Sequence, residues 1–193
     1  MGVSMAPEGP FLHTERLVLR PPTMEDLGEY APIFADPEVM RYIGDGSLRT
    51  PDRVAKSVAR IRELFVTRGI GGFVLVERET GDILGDCFLV PIMRSGADPS
   101  DMTDRGPEIE LGYRLKKDAW GKGFATEAAG AVLNWATGVG GPRLTEVVGV
   151  THPDNEPSKR VLRKLGFDDA GETGAFYNMT TSLLVYRVER ESR

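Results

Sequence analysis

Apolar residues recur along the chain with two periods, and each period predicts one kind of element. Short apolar or alternating runs that end at Gly, Pro or Asp predict strands. The runs are "ERLVLRPP" (15–22), "GGFVLVER" (71–78), "DILGDCFLVPI" (82–92), "EIELGYRL" (108–115), "LTEVVGVTH" (144–152) and "TSLLVYRVER" (181–190). Glu79, Thr80, Gly81 and Asp82 have turn chemistry and join the second run to the third, so these two strands should form a hairpin.

Helical periodicity marks several of the segments between these strands. After Pro51 an apolar stripe predicts a helix that packs on the sheet, and its residues are Val54, Val58, Ile61 and Phe65. A second helix follows the glycines at 121 and 123 and runs to about Thr137, with one face formed by Phe124, Ala128, Val132 and Trp135. A third should begin at Asn155 and end at Gly166, since these residues suit the two ends of a helix. Thr23 and Asp26 form a variant of the capping box, which predicts a further helix near the start.

The mixture of strands and helices, without an internal repeat or an interdomain linker, predicts one α+β domain. The chain of 193 residues has the length of a single domain of ordinary size. We expect the domain to cover residues 14–190 after a loose lead-in at 1–13. Its sheet should be mixed but mostly antiparallel, with helices on both faces.

Composition and charge exclude several classes of function. Hydrophobic residues make up 40% and charged residues 27%, which is typical of a soluble globular protein. The net charge of −5 argues against bulk nucleic-acid binding, and no apolar run approaches the roughly 20 residues that span a bilayer. The single cysteine, Cys87, fits a reducing cytoplasm, and its apolar neighbours favour a core residue over a nucleophile. The N-terminus also lacks the pattern of a signal peptide.

The segment "YRLKKDAWGKGFATEAAGAV" (113–132) combines a strand end, two glycines and a helix start. It fails as a Walker loop, which needs Ser or Thr where Gly123 stands, and as a dinucleotide fingerprint, which needs Gly where Thr126 stands. A helix start nevertheless offers free N–H groups and a positive dipole end, so the segment predicts an anion site. Lys116, Lys117 and Lys122 add positive charge. The alternative is a plain tight turn before a helix.

Three segments resemble, in order, the GNAT N-acetyltransferase superfamily, and in particular its RimJ/RimL-type branch of ribosomal-protein N-terminal acetyltransferases. They are "TERLVLRPPTMEDL" (14–27), "LGYRLKKDAWGKGFATEA" (111–128) and "NEPSKRVLRKLGF" (155–167). The superfamily often has Gln or Arg at the position of Trp120, whereas a Trp is familiar in this branch. The resemblance covers residues 14–188.

The resemblance implies a GNAT-like fold in which acetyl-CoA lies in an opening between two splayed strands, 108–115 and 144–151. The backbone around Tyr113 and Leu115 would meet the pantetheine arm, and the loop that starts at Trp120 would take the pyrophosphate. The loop and helix residues implied are Gly121, Lys122, Gly123, Phe124, Ala125 and Thr126. Asn155 and Ser158 would complete the cofactor site. The lysines would offset the phosphate charge.

The central strand also carries two carboxylates, Glu108 and Glu110, on one face. Since the resemblance places this strand beside the thioester, Glu110 is the preferred general base, directly or through a water, and Glu108 is the second candidate. The alternative is that one or both are solvated strand carboxylates or partners of a nearby Arg or Lys.

The proton donor to the departing thiolate is less obvious from the sequence. Many superfamily members place a tyrosine where this chain has Leu162, so the resemblance implies Ser158 instead, with Asn155 on the pantetheine. Both residues are also ordinary helix caps. His13 and His152 have no acidic or cysteine partner at ligand spacing, so we expect no metal site.

The sequence therefore predicts a cytoplasmic enzyme that transfers an acetyl group from acetyl-CoA to a primary amine by direct attack in a ternary complex. The acceptor is either a protein N-terminal amine or a small amine. Two alternatives stay open: an amino-sugar or antibiotic acetyltransferase, and a regulatory protein that binds CoA without catalysis. Acceptor choice should depend on residues 24–50 and on the loop 93–107, which contains Asp98, Asp101 and Asp104. A homodimer through exposed helix or strand edges stays open as well.

Overall fold

The computed structural model describes residues 9–97 and 106–188. These residues form a single eight-stranded sheet flanked by five helices, β1 to β8 and α1 to α5 in chain order. The strands are β1 (Leu12–His13), β2 (Leu17–Arg20), β3 (Gly72–Glu77), β4 (Ile83–Pro91), β5 (Ile109–Leu115), β6 (Glu146–Thr151), β7 (Asp168–Thr173) and β8 (Thr181–Arg187). The helices are α1 (Leu27–Tyr30), α2 (Pro37–Met40), α3 (Pro51–Arg68), α4 (Phe124–Thr137) and α5 (Glu156–Lys164).

Local sequence signals account for most of the helix ends. The Thr50 hydroxyl accepts from the amide of Arg53 at the start of α3, and Gly69 ends that helix with φ +66°. The side chain of Asn155 accepts from the amide of Ser158 at the start of α5. Each of these residues satisfies backbone groups that the helix itself leaves without partners.

The strand order is β1-β2-β3-β4-β5-β6-β8-β7. Every described pairing is antiparallel except that of β5 with β6, which is parallel. β3 and β4 form the predicted hairpin. The sheet is therefore mixed but mostly antiparallel, and the α+β prediction is confirmed.

Apolar residues cover both faces of this sheet. One cluster packs α4 against the inner strands and includes Leu111, Leu115, Phe124, Ala128 and Val147. The other packs the short helices α1 and α2 and the first half of α3 against β3 and β4, and it includes Tyr30, Phe34, Val54, Val74 and Ile83. The helices on the two faces thus leave β5 between two separate packed layers.

The structure departs from the sequence expectations in three places. Residues 23–43, predicted as one helix, form short helical pieces because Pro32 and Pro37 interrupt them. Strand β7 was not predicted, since "DDAGET" has no buried face. Leu12 and His13, assigned above to the lead-in, pair with β2 as β1.

Two further features concern the single cysteine and the possibility of a membrane-spanning helix. Cys87 is fully buried in the core, and burial raises the pKa of its thiol well above the ordinary value. None of the helices in the described ranges is long and apolar enough to cross a membrane.

Candidate active site

The centre of the sheet opens between β5 and β6. Within the described chain the two strands pair at a single position, Glu110 with Val148. Beyond it, β5 continues to Leu115 paired with β4, while β6 continues to Thr151 paired with β8. The facing edges of β5 and β6 are therefore parted, which is the opening that the resemblance implied.

The loop after β5 presents backbone amides at the start of α4. Gly121 and Gly123 have φ values of +73° and +84°, the left-handed region that favours glycine. The first bond of the helix runs from the amide of Glu127 to the carbonyl of Gly123, at 3.1 Å. The backbone amides of Phe124, Ala125 and Thr126 come before Glu127 in the chain and have no acceptor within the helix, so they are available to an anion. No protein atom lies within 4 Å of the place where a side chain at Gly121 would begin, so this donor set fits a pyrophosphate.

An arginine from the turn between β1 and β2 holds this loop, and no local pattern in the sequence indicated the contact. The guanidinium of Arg16 donates to the carbonyl of Lys122 at 2.9 Å and lies 2.6 Å from the carboxylate of Glu127. The same carboxylate accepts from the hydroxyl of Thr14 at 2.6 Å. Arg16 also lies over the ring of Phe124, 4.3 Å from its centroid. The turn between β1 and β2 thus fixes the start of α4.

Trp120, Lys116 and Lys117 contact protein groups. The indole Nε1 of Trp120 donates to the carbonyl of Leu115 at 2.9 Å, so this carbonyl, expected to meet the pantetheine, already has a donor. Lys116 lies 3.7 Å from Asp82, and Lys117 pairs with Glu38. The expected contribution of these two lysines to phosphate charge is therefore reduced, while Lys122 is exposed.

Two hydroxyls meet across the opening. The hydroxyl of Tyr113 on β5 donates to the carbonyl of Ser158 at 2.9 Å and lies 3.0 Å from the Ser158 hydroxyl. Burial raises the pKa of Tyr113, so its phenol stays protonated and can donate. The backbone of Ser158 is held as well, because its amide donates to the side-chain oxygen of Asn155 at 3.2 Å. The sequence placed Tyr113 at the pantetheine through its backbone and did not anticipate this contact between side chains.

Leu162 is buried beneath the same opening. A side chain at Gly149 of β6 would begin 2.7 Å from Leu162, so the two residues are packed tightly together. This position belongs to the apolar core here and carries no proton donor. Tyr113 is the tyrosine whose hydroxyl contacts Ser158.

Glu110 lies at the closed end of the opening. Its side chain is 5% exposed, and the hydroxyl of Tyr177 donates to it. Tyr177 and Asn178 form the turn between β7 and β8 with φ values of +58° and +56°, which is uncommon for residues other than glycine. The turn is held against residues 93–96, since the amide of Tyr177 donates to Met93 at 3.1 Å and the side chain of Asn178 accepts from Gly96 at 2.7 Å. Strained backbone of this kind tends to occur at functional sites.

Glu108 lies just before β5 and is engaged differently. It forms an ion pair with Arg94, and the hydrogen bonds from that guanidinium hold the pKa of Glu108 below its ordinary value. A carboxylate with a lowered pKa is a weaker base. The ion pair thus argues against Glu108 as the base.

The histidines lie apart from each other. His13 is in β1 at the edge of the sheet, and His152 follows β6, where its ring lies 5.2 Å from that of Tyr42. Nδ1 of His152 accepts from the amide of Asp154 at 3.1 Å. In residues 9–97 and 106–188 no group of three or more His, Cys, Asp or Glu side chains is arranged to hold a metal ion. Asp98, Asp101 and Asp104 lie outside the described residues.

The central opening between parted strands and the amides at the start of α4 form the arrangement that the resemblance to acetyl-CoA-dependent acetyltransferases implied. A family model described as an acetyltransferase (GNAT) domain matches residues 16–168. The chain therefore belongs to the GNAT acetyltransferase family, and it is an acetyl-CoA-dependent N-acetyltransferase.

Individual relatives agree with this assignment. The chain is 29% identical over 160 residues to the uncharacterized N-acetyltransferase p20 of Bacillus licheniformis, covering 83% of each chain. An acetyltransferase structure from Agrobacterium tumefaciens superposes with a TM-score of 0.74 at 24% identity, covering 97% of this chain and 99% of that one. RimL, a ribosomal alpha-N-protein acetyltransferase solved with coenzyme A, superposes with a TM-score of 0.71 at 13% identity, covering 93% and 98%. The RimJ/RimL resemblance is thus matched at the level of the fold.

Proposed function

We propose that the protein transfers an acetyl group from acetyl-CoA to a primary amine by direct attack in a ternary complex, with Glu110 as the general base. The observation that carries this proposal is the position of Glu110, a buried carboxylate at the point where β5 and β6 part. An α-amine has an ordinary pKa of about 7.7–8.0 and a lysine of about 10.4, so a base matters more for a lysine acceptor. Tyr177 holds the carboxylate in place for that proton.

The remaining residues have complementary roles in the proposal. The amides of Phe124, Ala125 and Thr126 hold the pyrophosphate, and acetyl-CoA supplies an activated acetyl group. The Tyr113 hydroxyl donates to the carbonyl of Ser158 and accepts from the Ser158 hydroxyl, so it holds that hydroxyl in the opening until its proton passes to the departing sulfur. Each proton is thereby given a residue that can take or supply it.

For the acceptor, we propose a protein N-terminal amine in the cytoplasm. The fold shared with RimL, a ribosomal alpha-N-protein acetyltransferase, supports this choice. A small amine such as an amino sugar is the second candidate, because one fold serves many acceptors. A CoA-binding regulator without catalysis is the third.

The decisive experiment compares Glu110→Gln with Glu108→Gln. Mass spectrometry would follow acetyl-CoA-dependent mass gain across peptides with varied N-termini and a panel of small amines. Glu110→Gln should lower kcat by about 10²–10⁴-fold, the usual contribution of a positioned base, and should leave acetyl-CoA affinity unchanged. Glu108→Gln, two residues earlier in the chain, is the matched control and should retain turnover. The base assignment is wrong if the second variant collapses and the first does not.

The relay is tested separately by Ser158→Ala and Tyr113→Phe. Both should lower kcat, and combining them should cost little more than Ser158→Ala alone, because Tyr113 acts through Ser158. Independent, additive losses would contradict the relay. If no amine gains mass while acetyl-CoA still binds, the regulatory alternative replaces the proposal.

A further inference from the structure

A cluster of charged side chains lies on the face of β5 that carries Glu110. Arg114 follows Glu110 by four residues and so points to the same face of the strand. Asp86 on β4 lies directly opposite Arg114 and accepts from its Nε at 3.2 Å and its Nη2 at 3.1 Å. The hydroxyl of Tyr30 donates to the same carboxylate at 2.5 Å. These contacts use one edge of the guanidinium and leave the other edge for something else.

The other edge of Arg114 has no protein partner among the described residues. The side chain is 6% exposed, and its Nη1 atom is buried without a hydrogen bond. A buried donor without an acceptor costs free energy, and more so when it is charged. Such a donor marks a place where a ligand oxygen would be stabilised.

The guanidinium of Arg49 lies near that of Arg114. Arg49 and Arg114 lie over the same ring, that of Phe34, at 5.4 Å and 4.1 Å from its centroid. Burial, followed by repulsion from Arg114, lowers the pKa of Arg49. Within the described chain no carboxylate forms a salt bridge with Arg49, which is half-buried and so extends from the surface to the cluster.

The charges of this cluster do not balance. Two arginines face one carboxylate, that of Asp86, and burial raises the pKa of Tyr30 well above its ordinary value, so its phenol is neutral. The net charge of these four groups is thus one positive charge. Arginine presents two parallel N–H donors that match a carboxylate, so a carboxylate would satisfy both the charge and the orphan donor.

We infer that Arg49 and Arg114 bind a carboxylate of the amine acceptor, which identifies the acceptor as an acidic peptide; this rests on the proposed function. The cluster shares its face of β5 with the proposed base, whereas Tyr113 and Leu115 point to the other face, towards α5 and α4. Four residues of strand span about 13 Å, so the acceptor is extended. One residue of extended peptide spans at most about 3.6 Å. Because both side chains and the acidic residue add to this reach, the acidic residue is the second or third residue of the peptide, counted from the one that carries the free amine.

The test uses matched peptides with Asp or Glu at position two or three and the same peptides with Asn or Gln. The acidic peptide should have a kcat/KM about 10- to 100-fold higher, the usual contribution of a hydrogen bond to a charged group. Arg49→Gln should remove most of that preference. Arg53→Gln, an exposed arginine in the first turn of α3, is the matched control and should keep it.

A binding measurement separates this inference from the proposed function. Calorimetry with the N-acetylated acidic peptide in the presence of CoA should show tighter binding than with the amide peptide, and Arg49→Gln should abolish the difference. Equal kcat/KM and equal affinity for acid and amide peptides, in an enzyme that acetylates both, would overturn the carboxylate site and leave the transferase intact. Selective binding of the acidic peptide without turnover of any amine would support the site and contradict the proposed function.

Discussion

The two glycines of the loop before α4 are explained either by a turn or by a ligand, and a pair of substitutions separates the explanations. Gly121 has φ +73° and Gly81, in the turn between β3 and β4, has φ +81°. A side chain added at either position would meet no protein atom within 4 Å. Gly121→Ala and Gly81→Ala therefore impose the same backbone strain in open space, but only Gly121 lies at the proposed pyrophosphate site.

The expected magnitudes follow from this match. A residue with a Cβ atom in the left-handed region costs about 1–2 kcal/mol, which for a chain of this size lowers Tm by about 2–8 °C. Both variants should show that loss in thermal unfolding followed by circular dichroism. Only Gly121→Ala should weaken acetyl-CoA binding in isothermal titration calorimetry. We expect about a 10- to 100-fold rise in Kd, because the new methyl group displaces a phosphate from at least one charge-assisted hydrogen bond.

One result would refute this reasoning. If Gly121→Ala loses the same stability as Gly81→Ala and still binds acetyl-CoA like the unmodified protein, the glycines serve only the turn. The phosphate would then have to bind elsewhere, and the assignment of Phe124, Ala125 and Thr126 would have no support.

Two further predictions concern charged pairs. Asp86→Asn should lower the free energy of unfolding, measured in urea, by about 3–5 kcal/mol, because it leaves Arg114 as a buried charge without a counter-ion. The double variant Asp86→Leu with Arg114→Met should be closer to neutral. A loss below about 1 kcal/mol in Asp86→Asn would show that the pair is hydrated. For Arg94 and Glu108, the lowered pKa of Glu108 means that the pair contributes stability above pH 4.5, the ordinary value, and loses it as the pH falls further. Arg94→Gln should therefore be slightly less stable than the unmodified protein near neutral pH, as expected for an exposed pair, and converge with it in acid; a difference that persists at low pH would contradict the pair.

The sequence predicted most of the sheet because the pattern is strong where one face of a strand is buried. The hairpin, α3, α4 and α5 were predicted correctly, since their caps and apolar stripes are local signals. Strand β7 was missed because its side chains are mostly exposed, so no alternation is present. The short helices before residue 43 were merged into one because the prolines there can also begin a helix.

The site divides in the same way. The glycine loop and Asn155 depend on local chemistry and were readable from the chain. Arg16, which is 111 residues from Glu127, and Tyr177, which is 67 residues from Glu110, come to the site only through the folded sheet. The orphan nitrogen of Arg114 is likewise invisible in a sequence, because it depends on which edge of the guanidinium Asp86 occupies.

The single backbone pairing between β5 and β6 has a consequence for how the molecule could be taken apart. Strands β1 to β5 and strands β6 to β8 are consecutive in the chain, so the two parts are joined covalently by residues 116–145, which include α4. The connection at 138–145 is at the surface, with Val139 84% exposed, and such sites tolerate cleavage. Two fragments divided there would each keep a paired sheet. A ligand that binds only their joined form would favour reassembly through its own binding free energy, so the separated halves could serve as a reporter of acetyl-CoA concentration.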